Sequence, residues 1–323
     1  MNIESIVSIR SIDGFTSARC YNTHVLTSSV TGALFQWDIE TSNPILSHNI
    51  EKPLDFVLPY RVGTTSEYSS ILLQSRGDIS ILDLKSCKIH HLVDAITTSF
   101  ARISLLNYGS STTPCIIVPC EKNIKVFDLR IECGGINSNV IHTINPPVIQ
   151  TPKKSEIGML HTCKQFSALG SSYILSTYES ASIVIHDLRN LKEPALPVHY
   201  MDTFEAIPAL STWKDVVLIG DTGGLIHMYH VTHQDGIRHI KSSIPRDPEN
   251  SPGISSLDIR NDGTIFAAGC WDRIVRIYET RSLSLKGVIN KHYSNIIDAS
   301  FDKTGNTLCT ASKDGIANVL NVS

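Results

Sequence analysis

The sequence repeats one pattern seven times along its 323 residues. Each copy has a short run of β-branched residues or leucines, a polar turn, a second apolar run, and an acidic or polar residue before a polar break. The first copy runs from Val25 to Asp38 and the last from Thr307 to Asn321. The others occupy residues 71–83, 115–128, 174–187, 216–230 and 265–279. Short apolar runs separated by turns predict an all-β chain of seven similar units.

The period of the repeat indicates its architecture. The acidic slot falls at residues 38, 83, 128, 187, 230, 279 and 321, so the successive spacings are 45, 45, 59, 43, 49 and 42 residues. A WD repeat has about 40–45 residues and forms one four-stranded blade of a β-propeller. Only Trp37-Asp38 spells the Trp-Asp pair of that repeat. The spacing nevertheless predicts a single seven-bladed WD-repeat β-propeller over residues 1–323.

The two ends of the sequence predict how the ring closes. The seventh copy contains three strands, whereas Glu4–Arg10 forms a strand-like segment before the first copy begins. We expect this segment to pair with Ala317–Val322 as the fourth strand of the last blade, because an unpaired strand edge invites aggregation.

Charge and hydropathy limit the partners that the chain can have. The formal net charge is -3, so there is no overall basic field to attract a phosphate backbone, and we expect no direct nucleic-acid binding. Residues 1–14 lack the apolar run of a signal peptide or membrane segment, and we expect a protein that is not bound to membranes. Proteins are therefore the expected partners.

We find no sequence motif of an enzyme, a metal site or a cofactor site. The eight cysteines form no C-x-x-C pair, and the thirteen histidines show no ligand spacing. We therefore assign no catalytic residue, metal or cofactor. A hydrolase of the diphthine methylesterase type stays as an alternative, which would need a Ser or Cys beside a His at the mouth of the channel.

Two groups of side chains are candidates for binding a protein partner. Trp271, Asp272 and Arg273 lie in the turn between the second and third strands of the sixth copy, and an exposed Trp beside an Arg is a favoured binding anchor. The alternative is that Trp271 packs onto its own blade. Arg130 and Arg189 each follow an Asp-Leu pair, as in the W-D-x-R box of substrate receptors for cullin-RING ubiquitin ligases, although Trp is replaced in both.

Three further residues predict a structural brace in the last blade. Regular WD repeats link a His, a Ser or Thr, an Asp and a Trp by hydrogen bonds; His292, Thr310 and Asp314 occupy three of these positions, with Val319 or Leu320 in place of the Trp. Trp213 is expected to pack within the fold. Two segments, 145–156 and 241–253, exceed the repeat and predict loops whose role is left open.

The C-terminal third resembles the ASTRA-associated WD-repeat family. The similar segments are Ala268–Tyr278 with its G-x-W-D turn, Lys291–Ile296, and Ala311–Gly315 with its S-K-D turn. The residues carried over are Gly269, Trp271, Asp272, His292, Lys313 and Asp314, and none is catalytic.

The resemblance implies a scaffold of the ASTRA complex in the nucleus and cytoplasm. Its expected partners are subunits of the ASTRA and Tel2-Tti type, with this chain as a monomer within a hetero-complex. The expected roles are chromatin regulation and the maturation of phosphatidylinositol-3-kinase-related kinases by the Tel2-Tti co-chaperone.

Overall fold

The computed structural model describes residues 2–21, 23–60, 70–94, 101–107, 114–129, 140–148, 156–202, 205–232, 236–243 and 252–322. These residues form seven four-stranded antiparallel sheets and contain no helix. Each sheet is one blade of a closed ring, so the predicted seven-bladed β-propeller is confirmed. Within this described part of the chain, no helix is long and apolar enough to cross a membrane.

The strands follow one order in every blade, from the central axis outwards. Blade 1 contains β2 (Phe15–Tyr21), β3 (His24–Ser29), β4 (Ala33–Asp38) and β5 (Pro44–Asn49). Blade 2 contains β6 (Phe56–Tyr60), β7 (Ser70–Gln74), β8 (Asp78–Asp83) and β9 (Lys88–Asp94). Blade 3 contains β10 (Ser104–Asn107), β11 (Pro114–Cys120), β12 (Asn123–Asp128) and β13 (Val140–Ile144).

The remaining blades repeat this arrangement. Blade 4 contains β14 (Leu160–Ala168), β15 (Ser171–Tyr178), β16 (Ser182–Asp187) and β17 (His199–Tyr200). Blade 5 contains β18 (Ala209–Trp213), β19 (Val216–Gly220), β20 (Ile226–Thr232) and β21 (Gly236–Ser242). Blade 6 contains β22 (Ile254–Ile259), β23 (Ile265–Cys270), β24 (Val275–Glu279) and β25 (Leu285–Ile289). Blade 7 contains β26 (Ile296–Phe301), β27 (Thr307–Ser312), β28 (Ile316–Val322) and β1 (Ile3–Arg10).

The hydrophobic core lies between the blades. The second and third strands bury side chains on both faces, because each sheet packs against a neighbour on either side. Seven apolar clusters result, one at each blade-to-blade interface. The cluster between blades 7 and 1, for example, joins Val319 and Ala311 to Val25. The ring is therefore held by the same kind of apolar contact throughout.

The N-terminal strand closes the ring as the sequence predicts. Strand β1 pairs antiparallel with β28, from Ile3 opposite Val322 to Arg10 opposite Ile316. Val7 and Ile9 are buried in the cluster between blades 7 and 1, whereas Ser8 between them is exposed. The first strand of the chain thus contributes to the core as well as covering the edge of β28.

The acidic slot of the repeat has a local structural role. The Oδ1 atom of Asp38 accepts a hydrogen bond from the backbone N–H of Glu40 at 2.7 Å, and that of Asp83 accepts one from Lys85 at 2.7 Å. Each carboxylate thereby ends the third strand of its blade and begins the turn to the fourth. This accounts for its regular position in the sequence.

Candidate functional site

We call the end of the propeller that carries the turns between second and third strands the upper face. The loops that join one blade to the next lie at the same end. Each such loop leads into the first strand of a blade, and the start of that strand pairs with the end of the second strand. Trp271 lies in such a turn of blade 6, as the sequence predicts. The upper face is therefore where the candidate anchor must be examined.

Trp271 is partly exposed and partly packed. The residue is 38% exposed, and its backbone N–H donates a hydrogen bond to the carbonyl of Gly253 at 2.9 Å. The ring lies directly on Gly253, where a Cβ atom would come within 2.6 Å of the Trp271 ring. Gly253 precedes blade 6, so Trp271 covers its own blade with one face and leaves the rest of the ring accessible.

Asp272 and Arg273 differ in what they have available for a partner. Asp272 forms a two-bond ion pair with Arg276 of β24, at 3.0 and 2.5 Å, which holds the turn to its own blade. Arg273 is exposed and has a positive φ of 72°, so the chain reverses at this residue. No hydrogen bond or ion pair holds its guanidinium within the described part of the chain. Arg273, rather than Asp272, has its charge free.

Neighbouring loops on blades 7 and 1 add exposed apolar side chains to this face. Tyr293, before blade 7, is 74% exposed, and Ile12 and Val30 project from the loop before blade 1 and from the second turn of that blade. Lys291 is exposed in the loop before blade 7 and Lys313 in the turn between β27 and β28, and their ammonium groups form no ion pair among the described residues. We call the set Trp271, Arg273, Lys291, Tyr293, Lys313, Ile12 and Val30 the 6–7–1 patch.

The carboxylates of this region are engaged within the fold. Asp314 accepts hydrogen bonds from the backbone N–H groups of Tyr293 and Ser294, at 2.6 and 3.1 Å. Asp13 accepts one from the hydroxyl of Thr31 at 2.7 Å. Asp272 is paired with Arg276, and the 6–7–1 patch presents apolar surface together with three cations that have no ion pair among the described residues. Such a surface is complementary to an acidic segment with apolar side chains.

The structure brings the three residues of the predicted brace together. His292 is buried, with Nδ1 at 2.9 Å from Ser312 Oγ and Nε2 at 2.9 Å from Thr310 Oγ1. Ser312 in turn donates a hydrogen bond to Asp314. Burial lowers the pKa of His292 to about 4, against the opposing effect of Asp314. The neutral imidazole therefore links the loop before blade 7 to strand β27 of that blade.

Leu320 stands in the brace where the indole of a regular repeat would lie. Trp37 of blade 1 occupies the equivalent position and donates from Nε1 to Thr27 Oγ1 at 3.0 Å. In blade 7, the amide of Asn318 contacts His292 Nε2 at 3.1 Å instead. Asn318 lies two residues before Leu320, on the same face of β28. Its amide supplies a polar contact to the brace where Leu320 cannot.

Arg189 and Arg130 lie away from the 6–7–1 patch in the chain. Arg189 follows the third strand of blade 4, at the opposite end of the propeller, and its guanidinium binds Asp187 with contacts of 3.0 and 2.5 Å. The arginine of this W-D-x-R-like segment therefore pairs with the aspartate of its own turn. Arg130 lies outside the described residues, so the second arginine of the pattern remains a prediction.

Several hydroxyl groups lie within hydrogen-bond reach of histidines, as a hydrolase would require. In blade 5, Ser242 Oγ lies 2.8 Å from Nδ1 of His227, whose Nε2 lies 3.1 Å from Asp221. Asp221 is fully buried, and its other oxygen accepts the backbone N–H of Leu225 at 2.8 Å. This set joins the two outer strands of blade 5 to the turn before them, and none of its residues lies on the innermost strand β18. Its geometry is that of a brace.

Other sequence-based candidates have simple structural positions. Trp213 donates from Nε1 to the carbonyl of Asn261 at 2.9 Å and its ring lies on Gly263, so it joins blade 5 to blade 6. The predicted loop 241–253 begins two residues later than expected, since Lys241 and Ser242 belong to β21. Its residues 244–251 and residues 149–155 of the first insertion lie outside the described part of the chain. The residues that are described contain no cluster of potential metal ligands.

The sequence did not single out Tyr293, Ile12 or Val30. Each lies in a polar loop that reads as a simple connection, and an isolated apolar residue in a loop is common. Their adjacency follows from the ring, which places the loop before blade 1 next to those of blade 7. The sequence signal that could have found them is the presence of apolar residues in consecutive upper loops, once the blades are assigned in order.

The comparison with known families agrees with this architecture. The sequence profile of the WD40 family, described as WD domain, G-beta repeat, matches residues 246–279 and 283–321. The first match covers the first three strands of blade 6, and the second covers the last strand of blade 6 and the three C-terminal strands of blade 7. WD40 repeats are therefore present in the part of the chain that carries most of the 6–7–1 patch.

Proposed function

We propose that this chain, a seven-bladed propeller with WD40 repeats, is a non-enzymatic scaffold that binds protein partners through the 6–7–1 patch. The observation that carries the proposal is the combination of exposed aromatic and apolar side chains with three cations that form no ion pair among the described residues. Trp, Tyr and Arg are the residues most often responsible for binding energy at protein interfaces. The matching partner surface is acidic at its rim and apolar at its centre.

We further propose that the partners are subunits of the ASTRA and Tel2-Tti assemblies, in the nucleus and cytoplasm. The support is the resemblance of residues 268–278, 291–296 and 311–315 to the ASTRA-associated family. These three segments supply Trp271, Arg273, Lys291, Tyr293 and Lys313 of the patch. The part of the sequence most similar to that family is thus the part that forms the candidate binding surface.

Affinity purification with crosslinking mass spectrometry tests both levels of the proposal. We expect crosslinks to partners at Lys291 and Lys313, and loss of those partners in Arg273→Glu, which keeps both lysines. The matched control is Arg189→Glu, which reverses an exposed arginine at the opposite end and should retain the partners. Crosslinks confined to the lower end, or equal capture by both variants, would contradict the patch.

The identity of the captured proteins separates the finer proposal from its alternative. Recovery of ASTRA and Tel2-Tti subunits supports the family assignment. Capture of a cullin-ligase adaptor that disappears in Arg189→Glu supports a ubiquitin-ligase receptor instead. The ion pair of Arg189 with Asp187 gives no support to that alternative, because it engages the group that would contact the adaptor.

A further inference from the structure

The axis of the propeller contains a cavity of about 920 Å³. All seven innermost strands contribute to its wall, as the positions of Arg19, Phe56, Ser104, Lys164, Leu210 and Leu257 illustrate, and β26 contributes Asp298. A volume of this size is typical of a small-molecule site. Its charged side chains are distributed unevenly around the ring.

Two arginines converge on one buried carboxylate in this cavity. Asp298 is fully buried, and its Oδ1 lies 2.7 Å from Nη1 of Arg102 and 3.1 Å from Nη1 of Arg19. Its Oδ2 accepts hydrogen bonds from Ser17 Oγ and from the backbone N–H of Ala18, both at 3.1 Å. Burial alone would raise the pKa of Asp298, but Arg102 and Arg19 bring it below the ordinary value. The carboxylate is charged and fully engaged.

The two guanidinium groups are held in place by a shared aromatic ring. The Cζ atoms of Arg19 and Arg102 lie 4.9 and 5.1 Å from the centre of the Phe56 ring. Arg102 also donates from Nη2 to the carbonyl of Ile297 at 2.8 Å. Both side chains remain partly exposed to the cavity, 19% for Arg19 and 30% for Arg102. They are ordered donors with N–H groups left over.

The cavity wall carries more cationic side chains than carboxylates. Besides the two arginines, Lys164 and Lys214 line the cavity, and Asp258 is the other carboxylate. Lys164 lies 3.9 Å from Asp258, which is at the limit of an ion pair. Burial raises the pKa of Asp258 despite the opposing effect of Lys164. Asp298 therefore pairs with both arginines, and Asp258 balances only part of the positive charge of the two lysines.

We propose that this cavity binds a small molecule carrying phosphate groups, with Arg19 and Arg102 as the principal ligands and Lys164 as a second cation. The planar donor fork of arginine matches the oxygen spacing of a phosphate, and prior immobilisation on Phe56 reduces the entropy lost on binding. Enclosure by seven strands favours a small molecule over a folded partner. The site is independent of the 6–7–1 patch.

Thermal unfolding and isothermal titration calorimetry with two probes, inorganic pyrophosphate and inositol hexakisphosphate, test the proposal. At constant ionic strength set with sodium chloride, we expect at least one probe to raise the Tm and to bind with a stoichiometry of one. Arg102→Gln and Arg19→Gln should each weaken that binding by about tenfold or more. Arg238→Gln, which removes an exposed arginine from β21, is the matched control and should bind as the wild type does.

A purely structural role for the arginine pair is distinguished by Asp298→Asn. Removing the built-in carboxylate frees both guanidinium groups, so the phosphate probe should bind more tightly and raise the Tm by more than in the wild-type protein. A structural ion pair alone predicts a lower Tm that neither probe restores. Citrate, a carboxylate anion, is titrated in the same way as a comparison. The proposal is overturned if neither phosphate probe binds, if the arginine variants bind the probes unchanged, or if only citrate binds.

Discussion

Trp271 combines a packing contact within the fold with exposed ring surface. One face of its ring rests on Gly253, and the remainder is open on the upper face. The sequence left packing and binding as alternatives for this residue; the structure shows the packing contact and leaves the rest of the ring exposed, so that the binding role stays a prediction. Sequence could place Trp271 in its turn, but the packing depends on a close approach to a glycine that follows another loop.

We expect Trp271→Ala to lower the free energy of unfolding by about 1–2 kcal/mol, which is less than truncation of a fully buried aromatic would. The same substitution should weaken partner binding by about 2 kcal/mol or more, as for a hot spot. Chemical denaturation and a binding titration measure the two effects on one sample.

Trp213→Ala is the control, since that indole joins blades 5 and 6 and lies away from the patch. It should reduce stability without a direct effect on binding. If Trp271→Ala unfolds the protein as severely as Trp213→Ala and leaves affinity unchanged, Trp271 is packing alone.

Two buried histidines predict the response of stability to acid. Burial lowers the pKa of His186 and of His292 to about 4. The unfolded chain, with histidine pKa values near 6.5, then binds more protons than the folded chain between about pH 6.5 and pH 4. Stability is therefore full above that window and falls with decreasing pH, by up to about 1.4 kcal/mol per pH unit for each histidine. Denaturation midpoints across this range measure the slope.

Leucine substitution at these two positions should give opposite results at pH 7. Neither ring nitrogen of His186 has a hydrogen-bond partner within the described chain, so His186→Leu should leave stability unchanged or raise it. His292→Leu removes the contacts to Thr310, Ser312 and Asn318 and should lower the unfolding free energy by about 2 kcal/mol or more. Both variants should reduce the acid slope. Equal losses would show that His186 has a partner of its own.

At the level of strands, the closing element β1 was predictable because the last copy of the repeat lacks a fourth strand. The observed register begins with Ile3 opposite Val322 and includes an irregularity between Ser5 and Val7. The alternation of Val7, Ser8 and Ile9 shows which side chains face the core. The irregularity itself leaves no mark in the sequence, since it arises from how β1 fits the twisted edge of blade 7.

Deletion of residues 1–11 should destabilise the propeller and lower its solubility, because it exposes the edge of β28 and removes Val7 and Ile9 from the core. A point-substitution pair makes the test sharper. Ile9→Asp should reproduce the loss of stability, whereas Ser8→Asp on the exposed face should have little effect. A truncated protein as soluble and stable as the full chain would show that β1 is dispensable.

For the whole molecule, repeat spacing was sufficient to predict the number of blades and their strands. The seven copies all became second and third strands of blades, since their apolar runs must be buried on both sides. The proposed binding surface was anticipated in part: the Trp271 turn was singled out from the sequence, while Tyr293, Ile12 and Val30 became apparent only in the ring. The arginines of the channel were not predicted, because Arg19 and Arg102 are eighty-three residues apart and meet only at Asp298, a residue of blade 7.

The scaffold proposal predicts that the purified protein hydrolyses no ester, phosphate or peptide substrate and holds no stoichiometric metal. An activity panel, labelling with a serine-reactive fluorophosphonate and metal analysis test this. The most informative variant is Ser242→Ala, because Ser242, His227 and Asp221 form a Ser-His-Asp set among the described residues. Turnover or labelling that disappears in Ser242→Ala, but persists in Ser312→Ala, would establish an enzyme.

The pairing of β1 with β28 also determines when the fold can be completed. Ile3 lies opposite Val322, so this contact joins residues almost a full sequence length apart. Contacts between such distant residues form slowly, and a ribosome releases β28 long after β1 has emerged. During synthesis, β1 has no strand to pair with and can instead add to blade 7 of another molecule. Exchange of β1 between two chains is therefore a route of misassembly that this topology opens.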